Sequence, residues 1–358
     1  MKTIAELDPN FRLTDGTPEN TEFYDPRQAP FRLYGVVPNQ EGSFCRLPLS
    51  LLPECSEGVR ALSFHLAGAC VRFSTDSPYL SVLWELGGSG NMAHFTPCGQ
   101  SGMELFEETE RGSIEIKNLL PQMQEMGGCA LRQSALASLP GGMRHYALYL
   151  PLYNSLKSLL IGTAPGAKLA AGRTLRIEKP LVFYGSSITQ GGCAGKTGSC
   201  YPTLLARRLD AAQINLGFSG NARGEECMAR YIAGLEMSAF ILDYDHNAPT
   251  VEHLRNTHAR FFQIVRQAQP ETPVLLASRP NFEADPEDSE RRRQVILQTY
   301  LQAREAGDKH VYFVDGESFF GNRDRDLCTV DGCHPTDVGF LRMADTMEPV
   351  LRRALGLR

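Results

Sequence analysis

The chain has 358 residues with 42% hydrophobic and 22% charged side chains, proportions typical of a globular protein, and its length favours two domains over one. Its formal net charge of −5 argues against a nucleic-acid partner, since such proteins carry basic patches. The basic run Arg291–Arg293 stands among acidic residues and predicts a solvated helix face. No apolar run in the sequence reaches the length of a membrane span, so we expect no membrane partner.

The N-terminal segment and the cysteines bear on the cellular compartment. Residues 1–8 carry acidic side chains where a secretory leader needs an apolar stretch, so we expect a cytoplasmic protein. The ten cysteines are scattered without a Cys-x-x-Cys pair, which favours free thiols. Two close pairs, Cys193 with Cys200 and Cys328 with Cys333, leave open a bridge in an oxidising compartment. The sequence gives no indication of an oligomeric state.

The first half of the chain predicts β structure. Residues 1 to about 40 contain several turn signals and predict irregular structure. From there to about residue 150, short β-prone runs recur between turns, which is typical of a β-sandwich or a jelly roll. The predicted strands are Ala61–Leu66, Cys70–Ser74, Leu80–Trp84, Met103–Phe106, Gly112–Ile116, His145–Leu150 and Ser158–Ile161.

The pattern changes near residue 176, where strand-like runs begin to alternate with longer helical stretches. Such alternation predicts an α/β fold, here a three-layer α/β/α domain with a five-stranded parallel sheet and right-handed crossovers. We therefore divide the chain into an N-terminal β-sandwich domain, residues 1–176, and a second domain, residues 177–358. The predicted strands are Pro180–Tyr184, Gln213–Gly217, Ala239–Asp243, Pro273–Ala277 and His310–Val314, and the predicted helices span 200–210, 223–235, 251–268, 287–306 and 336–355.

The stretch Leu181–Gly192 carries the first candidate for chemistry. Four apolar residues run into Gly-Ser-Ser, so Ser187 follows the carboxyl end of a buried parallel strand, where ligands bind in open α/β sheets. This position makes Ser187 a candidate nucleophile. A turn or a helix cap formed by Ser186 and Ser187 explains the same residues equally well when the stretch is considered alone.

Three further signals stand after predicted strands or before the last helix. Gly220 allows a backbone N–H to approach a ligand closely, and Asn247 can donate a side-chain hydrogen bond. Asp331 and His334 are three residues apart, which can place the carboxylate against Nδ1 and leave Nε2 for a serine. Singly, each residue also fits a turn or a cap, but together they favour a nucleophilic serine, a histidine base and an orienting acid. The backbone N–H groups of Ser187 and Gly220 and the Asn247 amide would then form an oxyanion hole.

At this point the chain resembles the SGNH or GDSL-like hydrolases, whose marker residues occur in the same order. The matching blocks are Gly185–Thr189, Gly220, Asn247 and Asp331-x-x-His334. Two departures stand out, because Ser186 replaces the usual Asp and the third block is Asp-His-Asn rather than Gly-x-Asn-Asp.

The resemblance extends to the first half of the chain. It is similar to a bacterial esterase branch whose N-terminal β domain carries the motif Gly-x-Asp-Leu-Tyr, with Gly102–Phe106 standing in that place. The resemblance implies a serine esterase that hydrolyses small acyl esters, acetyl above all, of carbohydrates. The expected partner is therefore a small acyl ester such as an acetylated saccharide. A serine mechanism needs no metal ion, so we expect no cofactor.

Several alternatives stay open at this stage. The chain could be a lipid- or thioester-directed acyl hydrolase, or a carbohydrate-binding protein with a secondary or inactive hydrolase domain. A metal site formed by Asp243 and Asp245 with the Asp331/His334 pair is a further alternative. Arg279, after the fourth strand, and His246, beside Asn247, are candidates for substrate contacts, and His246 is also a rival base.

Overall fold

A computed structural model describes residues 7–8, 16–37, 42, 44–124 and 127–357. The expectation of a cytoplasmic protein rests partly on residues 1–8. Residues 1–6 lie outside the described residues. Within the described residues, no helix is both long and apolar enough to span a membrane.

The first half of the described chain is built mainly of antiparallel strands. Short turns separate most of them, as the sequence predicts. The strands are β1 (Glu22–Tyr24), β2 (Arg32–Tyr34), β3 (Cys70–Thr75), β4 (Tyr79–Leu86), β5 (Met103–Thr109), β6 (Gly112–Leu119), β7 (Arg132–Ser138), β8 (Arg144–Tyr149), β9 (Leu156–Thr163) and β10 (Leu169–Ala171).

These strands form two sheets that pack face to face, which confirms the predicted β-sandwich. One sheet has the order β1-β9-β4-β7, and the other has the order β10-β3-β8-β5-β6 with β2 also paired to β3. Apolar side chains from both sheets share one core, among them Val82 and Trp84 of β4 and Leu148 of β8. Alternate residues of each strand face this core because successive side chains of a strand point to opposite faces.

The predicted strand Ala61–Leu66 is wrong. Its first two residues belong to a helix, α1 (Glu57–Leu62), and a turn follows. Ser56 caps this helix, since its side chain accepts a hydrogen bond from the Val59 N–H at 3.3 Å. Val59 is fully buried, so the helix is held by packing as well as by its cap. A second short helix, α2 (Pro97–Ser101), precedes β5.

The second half of the chain is a parallel sheet with helices on both faces, as predicted. Its strand order is β12-β11-β13-β14-β15, and every neighbouring pair is parallel. The strands are β11 (Ile177–Gly185), β12 (Ala211–Gly217), β13 (Ala239–Asp243), β14 (Val274–Ala277) and β15 (Val311–Val314). The helices are α3 (Ser187–Gln190), α4 (Tyr201–Leu209), α5 (Glu226–Ala233), α6 (Val251–Ala268), α7 (Pro286–Glu305) and α8 (Asp337–Ala354).

Strand β11 is apolar on both faces because it lies inside the sheet. Leu181 and Phe183 belong to the core beneath α4 and α8, whereas Val182 and Tyr184 belong to the core beneath α5 and α6. All four side chains are fully buried. The unbroken apolar run before Gly185 is therefore the signature of a strand covered on both sides.

The first half of the chain also contributes to a core of the second. Leu47, Leu52 and Val59 are buried in the same cluster as Tyr184 and other side chains of the parallel sheet. The two halves thus share apolar packing. The division into domains at residue 176 stays a prediction.

Candidate active site

The turn after β11 uses its two serines differently. Ser186 is the N-cap of α3, and its Oγ accepts a hydrogen bond from the Ile188 N–H at 3.1 Å. Ser187 is the first residue of α3, so its N–H has no acceptor within the helix. The cap interpretation thus holds for Ser186, while the side chain of Ser187 is used elsewhere.

Gly185 makes this turn possible. A Cβ at this position would lie 2.0 Å from Thr189 Oγ1 and 2.3 Å from the carbonyl oxygen of Asp243. The backbone of Asp243 in β13 and the side chain of Thr189 in α3 therefore approach the end of β11 too closely for any residue but glycine. This close approach fixes the position at which Ser187 follows the strand.

The structure brings Ser187, His334 and Asp331 together. Ser187 Oγ lies 2.9 Å from His334 Nε2, and His334 Nδ1 lies 2.7 Å from Asp331 Oδ2. The carboxylate is the acceptor at Nδ1, so the imidazole carries its proton there and presents the lone pair of Nε2 to the serine. The Ser187 hydroxyl then donates to Nε2. This arrangement can activate a serine for attack on an acyl carbon.

The other oxygen of Asp331 is held by the loop that carries it. Asp331 Oδ1 accepts hydrogen bonds from the backbone N–H groups of Cys333, at 3.0 Å, and His334, at 2.8 Å. Partial burial raises the pKa of the carboxyl group, but the hydrogen bonds from His334 and Cys333 outweigh it and lower the pKa to about 2. Asp331 is therefore an anion at neutral pH and can stabilise an imidazolium.

The three predicted oxyanion donors follow three adjacent strands. Gly220 comes after β12, Ser187 after β11 and Asn247 after β13, and these strands are neighbours in the sheet. Gly220 has φ +67°, in the left-handed region that favours glycine. Asn247 ends a 3₁₀ turn, Asp245–Asn247, and its Nδ2 donates to the carbonyl oxygen of Phe218 at 2.8 Å. An amide nitrogen has two hydrogens, so one remains for a ligand.

Polar side chains tie the loop of Gly220 to the turn of Ser187. Asn215 Nδ2 donates to the carbonyl oxygen of Thr189 at 2.7 Å. Gln190 Oε1 accepts from the Ser219 N–H at 2.9 Å. Both contacts join β12 and its loop to α3, so the nucleophile turn and the Gly220 loop form one hydrogen-bonded unit.

Several contacts from the first half of the chain reach the nucleophile turn and the loop that follows α3, and no sequence pattern predicts them. The Tyr153 hydroxyl donates to the carbonyl oxygen of Ser187 at 3.1 Å. Thr96 Oγ1 donates to the carbonyl oxygen of Gly195 at 2.7 Å. Glu104, in the motif stretch Gly102–Phe106, accepts from the Gly198 N–H at 2.7 Å. The stretch Gly102–Phe106 was recognised in the sequence as a family motif. No local sequence pattern shows that it contacts the loop containing Gly198.

His94 is a further neighbour of the triad residues. Its Nε2 lies 4.0 Å from Asp331 Oδ2, and its ring centroid lies 5.8 Å from that of His334. The side chain is 40% exposed. His94 precedes α2 in the first half of the chain, and a single histidine there offered no sequence signal for this position.

Of the two predicted substrate contacts, Arg279 is held by the protein itself, whereas the buried Nε2 of His246 has no hydrogen-bond partner among the described residues. The Arg279 guanidinium donates to Ser289 Oγ at 2.9 Å and lies 3.1 Å from the Asp288 carboxylate. Burial and the nearby charges of Arg279 and His334 lower the pKa of His246 to about 3, so its ring is neutral. Among the described residues, no carboxylate is hydrogen-bonded to the His246 ring, whereas Asp331 orients the ring of His334. The substrate-contact role of both residues stays a prediction.

The basic run on α7 is not uniformly solvated, which corrects the sequence prediction. Arg292 is buried, whereas Arg291 is exposed. Arg292 Nη1 donates to the carbonyl oxygens of Asp245, at 2.9 Å, and Ala248, at 3.0 Å. It therefore holds the 3₁₀ turn that carries Asn247. Helix periodicity around the run was too weak to show which of the arginines faces inward.

The alternative metal site at the sheet end does not form. Asp243 Oδ2 accepts from the Tyr201 hydroxyl at 2.9 Å, and Asp245 accepts from the Arg279 N–H at 2.9 Å. Among the described residues, these two carboxylates do not join Asp331 and His334 in a ligand cluster. Burial raises the pKa of the Asp243 carboxyl to about 7.

All ten cysteines are free thiols in the structure, so the pairs Cys193/Cys200 and Cys328/Cys333 are not bridged. Burial raises the pKa of the Cys193 thiol to about 12, with a smaller contribution from Asp331. Cys193 is therefore a neutral thiol at neutral pH and no competing nucleophile.

Comparison with known sequences gives two adjacent matches. Residues 178–352 match the GDSL-like lipase/acylhydrolase family, and residues 21–169 match the GxDLY family, described as the N-terminus of Esterase_SGNH_hydro-type. No curated protein matches the chain at the significance required.

Several solved structures have the same fold. A protein described as a GDSL-like lipase from Bacteroides ovatus ATCC 8483 is 28% identical, with a TM-score of 0.83 over 95% of this chain and 99% of that one. The salicylyl-acyltransferase SsfX3 of a tetracycline biosynthetic pathway is 20% identical, with a TM-score of 0.74 over 95% and 99%. The acetyl xylan esterase Est2A from Butyrivibrio proteoclasticus is 14% identical, with a TM-score of 0.57 over 94% and 99%.

Proposed function

We propose that this chain, which belongs to the GDSL-like lipase/acylhydrolase family and is a carboxylic ester hydrolase, removes small acyl groups from carbohydrate alcohols. The nucleophile is Ser187, the base is His334 and the orienting acid is Asp331. The observation that carries this proposal is the continuous hydrogen-bonded path from Ser187 Oγ to His334 Nε2, at 2.9 Å, and from His334 Nδ1 to Asp331 Oδ2, at 2.7 Å.

The first half of the reaction acylates the serine. Ser187 Oγ attacks the ester carbonyl carbon as its proton passes to His334 Nε2. The carbonyl oxygen becomes an oxyanion, and the imidazolium is stabilised by Asp331. The tetrahedral intermediate collapses when the C–O bond to the sugar breaks and His334 returns the proton to the leaving alcohol. The acyl group is then bound to Ser187 as an ester.

Water completes the cycle by the same route. His334 Nε2 takes a proton from the water molecule, and the resulting hydroxide attacks the acyl carbon of the acyl-enzyme. The second tetrahedral intermediate releases the carboxylic acid and returns the proton to Ser187 Oγ. Each oxyanion is stabilised by the N–H groups of Ser187 and Gly220 and by the free amide hydrogen of Asn247. One such donor lowers the barrier by roughly 2.7–4 kcal/mol.

The family match supports an esterase, and the names of the similar structures support a carbohydrate ester as its substrate. The N-terminal half matches the GxDLY type of SGNH esterase, and structures with the same two-part fold include an acetyl xylan esterase and family two carbohydrate esterases. Acetyl is the acyl group that the name of the acetyl xylan esterase gives. The alcohol is proposed to be a sugar hydroxyl rather than a glycerol.

The proposal is tested by ester hydrolysis with and without the nucleophile. Wild-type protein should hydrolyse p-nitrophenyl acetate and release acetate from acetylated oligosaccharides. Ser187→Ala should abolish both activities, while Ser186→Ala, which changes only the helix cap, should retain them. Hydrolysis by Ser187→Ala at the wild-type rate would show that the assignment of the nucleophile is wrong.

The lipid-directed alternative is distinguished by acyl length. A series of p-nitrophenyl esters from acetate to palmitate should give the highest kcat/KM for acetate and a steep fall with added methylenes. A maximum at eight carbons or longer would favour a lipid substrate and contradict the proposal. Release of acetate from sugars but not from acetylglycerols would support the carbohydrate alcohol.

A further inference from the structure

Three metal-ligating side chains from distant parts of the chain meet beside the proposed nucleophile. His94 comes from the loop before α2, Cys193 from the loop after α3, and His334 from the loop before α8. Each offers one ligand atom, and the three atoms lie within 4.8 Å of one another. Cys193 is buried, His334 is half-buried and His94 is exposed, so the cluster opens to solvent on one side.

The chemistry of this set favours a borderline-soft divalent cation. Two imidazole nitrogens and one sulfur are ligands that Zn²⁺ prefers, with Zn–N about 2.0–2.1 Å and Zn–S about 2.3 Å. These bond lengths place tetrahedral ligands about 3.3–3.7 Å apart, so the cluster must contract by about 1 Å to close on the ion. The exposed His94 can provide this movement by side-chain rotation, because its ring is 40% exposed.

The neighbours of the cluster prepare His334 for a metal ion. Asp331 accepts a hydrogen bond from the proton-bearing Nδ1 of His334, so Nε2 carries the lone pair that can ligate an ion in place of its hydrogen bond from Ser187 Oγ. A carboxylate behind a ligating histidine fixes the ring and raises its basicity, and this arrangement recurs in zinc proteins. The Asp331 anion also lies 4.0 Å from His94 Nε2 and favours a cation between the two rings. Mg²⁺ and Ca²⁺, which prefer oxygen ligands, are not suited to this set.

We propose that Zn²⁺ binds to His94, Cys193 and His334 and reversibly inhibits the enzyme. Binding removes the thiol proton of Cys193, which passes to solvent, and forms one Zn–S and two Zn–N bonds. The ion occupies the Nε2 lone pair that must accept the Ser187 proton. A fourth ligand position stays open to water. The binding is independent of the proposed function, but the inhibition rests on it.

Inhibition is measured by adding Zn²⁺ to wild-type protein that is hydrolysing p-nitrophenyl acetate in a buffer without chelators. We expect loss of activity, full recovery with EDTA, and little effect from Mg²⁺ or Ca²⁺. His94→Ala and Cys193→Ser should each raise the inhibition constant for Zn²⁺ at least tenfold without a large change in basal kcat/KM. Cys98→Ser and His145→Ala, which alter a thiol and an imidazole outside the cluster, are the matched controls and should keep the wild-type inhibition constant.

Binding is measured separately with Co²⁺ added to Ser187→Ala, a variant that keeps all three ligands. We expect a thiolate-to-Co²⁺ charge-transfer band and the intense visible bands of a tetrahedral site. The charge-transfer band should be lost when Cys193→Ser is added. Should Cys193→Ser fail to fold, Cys193→Ala and His94→Ala provide the same comparison, with folding checked by thermal melting.

The possible outcomes separate this proposal from the proposed function. Absence of the charge-transfer band, equal Zn²⁺ inhibition of wild type and both ligand variants, or activation by Zn²⁺ would each overturn the metal site. If no ester is hydrolysed at all, the proposed function fails, while the Co²⁺ spectrum still decides whether the metal binds.

Discussion

The guanidinium of Arg46, a residue of the first half of the chain, donates a hydrogen bond to the carbonyl oxygen of Gly217 at 2.9 Å. Gly217 is the last residue of β12 and stands three residues before Gly220. Arg46 also donates to the carbonyl oxygens of Asn215, at 2.6 Å, and His65, at 2.6 Å. Burial lowers the pKa of this arginine to about 10, so it remains protonated at neutral pH. A buried cation thus fastens the strand end that leads to the proposed oxyanion hole.

Arg46→Met should destabilise the protein and misplace this loop. The substitution leaves several buried carbonyl oxygens without a hydrogen-bond donor, and each unpaired oxygen costs about 1–3 kcal/mol. The free energy of unfolding should therefore fall by about 3 kcal/mol or more. Folded Arg46→Met should show a lower kcat with little change in KM. Arg111→Met, at an exposed turn, is the control and should shift stability by no more than about 0.5 kcal/mol. Equal stability of the two variants would contradict the role of Arg46.

Asn247→Ala tests the side-chain donor of the oxyanion hole. Loss of one such donor should lower kcat by about 10²–10³ with a small change in KM, because the interaction strengthens only as charge develops on the oxygen. The control is Asn322→Ala, at an exposed loop position, which should keep wild-type kinetics. A variant that lost substrate affinity but kept kcat would show that Asn247 binds the ground state instead.

The neighbouring arginines of α7 offer a matched pair. Arg292→Ala leaves the carbonyl oxygens of Asp245 and Ala248 without their donor and the Asp245 carboxylate without its ion pair at 3.4 Å. Removing one partner of a buried pair costs about 3–5 kcal/mol. Arg291→Ala should change the free energy of unfolding by less than about 1 kcal/mol, since exposed ion pairs contribute little. Chemical denaturation of both variants measures the difference, and similar losses would contradict the buried role of Arg292.

Asp243 should make stability depend on pH. Burial raises the pKa of its carboxyl to about 7 in the folded protein, above the ordinary value of 3.8. Between these two pH values the folded state holds a proton that the unfolded state has lost, so stability from this group is present below pH about 4 and is lost as pH rises to about 7. The Asp243→Asn side chain does not ionise, so this variant should not lose stability in that pH range.

The measurement compares the free energy of unfolding of the two proteins from pH 5 to pH 8. Wild type should lose stability relative to Asp243→Asn as the pH rises, by an amount on the order of a few kcal/mol. Asp326→Asn, at an exposed position, should follow the wild-type curve. Parallel curves for wild type and Asp243→Asn would show that the buried carboxyl does not hold a proton.

Much of the second half of the chain could be predicted from the sequence for a physical reason. A parallel strand that is buried on both faces appears in the sequence as a short, unbroken apolar run. For this reason Ala239–Asp243 was predicted with its observed bounds. The helix Val251–Ala268 was predicted equally well, because its apolar spacing covers five turns and Thr250 caps it. In the first half, β7 was missed because its inward residues are small, with Ala135 and Ala137 in place of the larger β-branched side chains that mark a strand.

The residues of the candidate site were predictable only where they follow strand ends or stand close in sequence. Ser187 and Gly220 stand two and three residues after the ends of their strands, and Asp331 and His334 share one loop, so local spacing placed them. Contacts between the two halves have no such signal, because they depend on which loops meet after folding. Arg46 and Tyr153 were therefore not predicted.

The assignment of Ser187 as the nucleophile is tested most directly by covalent labelling. Wild-type protein is incubated with a fluorophosphonate, which phosphonylates an activated serine and releases fluoride, and the labelled residue is found by peptide mass spectrometry. We expect a single adduct on Ser187 with complete loss of esterase activity, and no adduct in Ser187→Ala or, at the same time point, in His334→Ala. An adduct on another residue, or full activity after stoichiometric labelling of Ser187, would contradict the assignment.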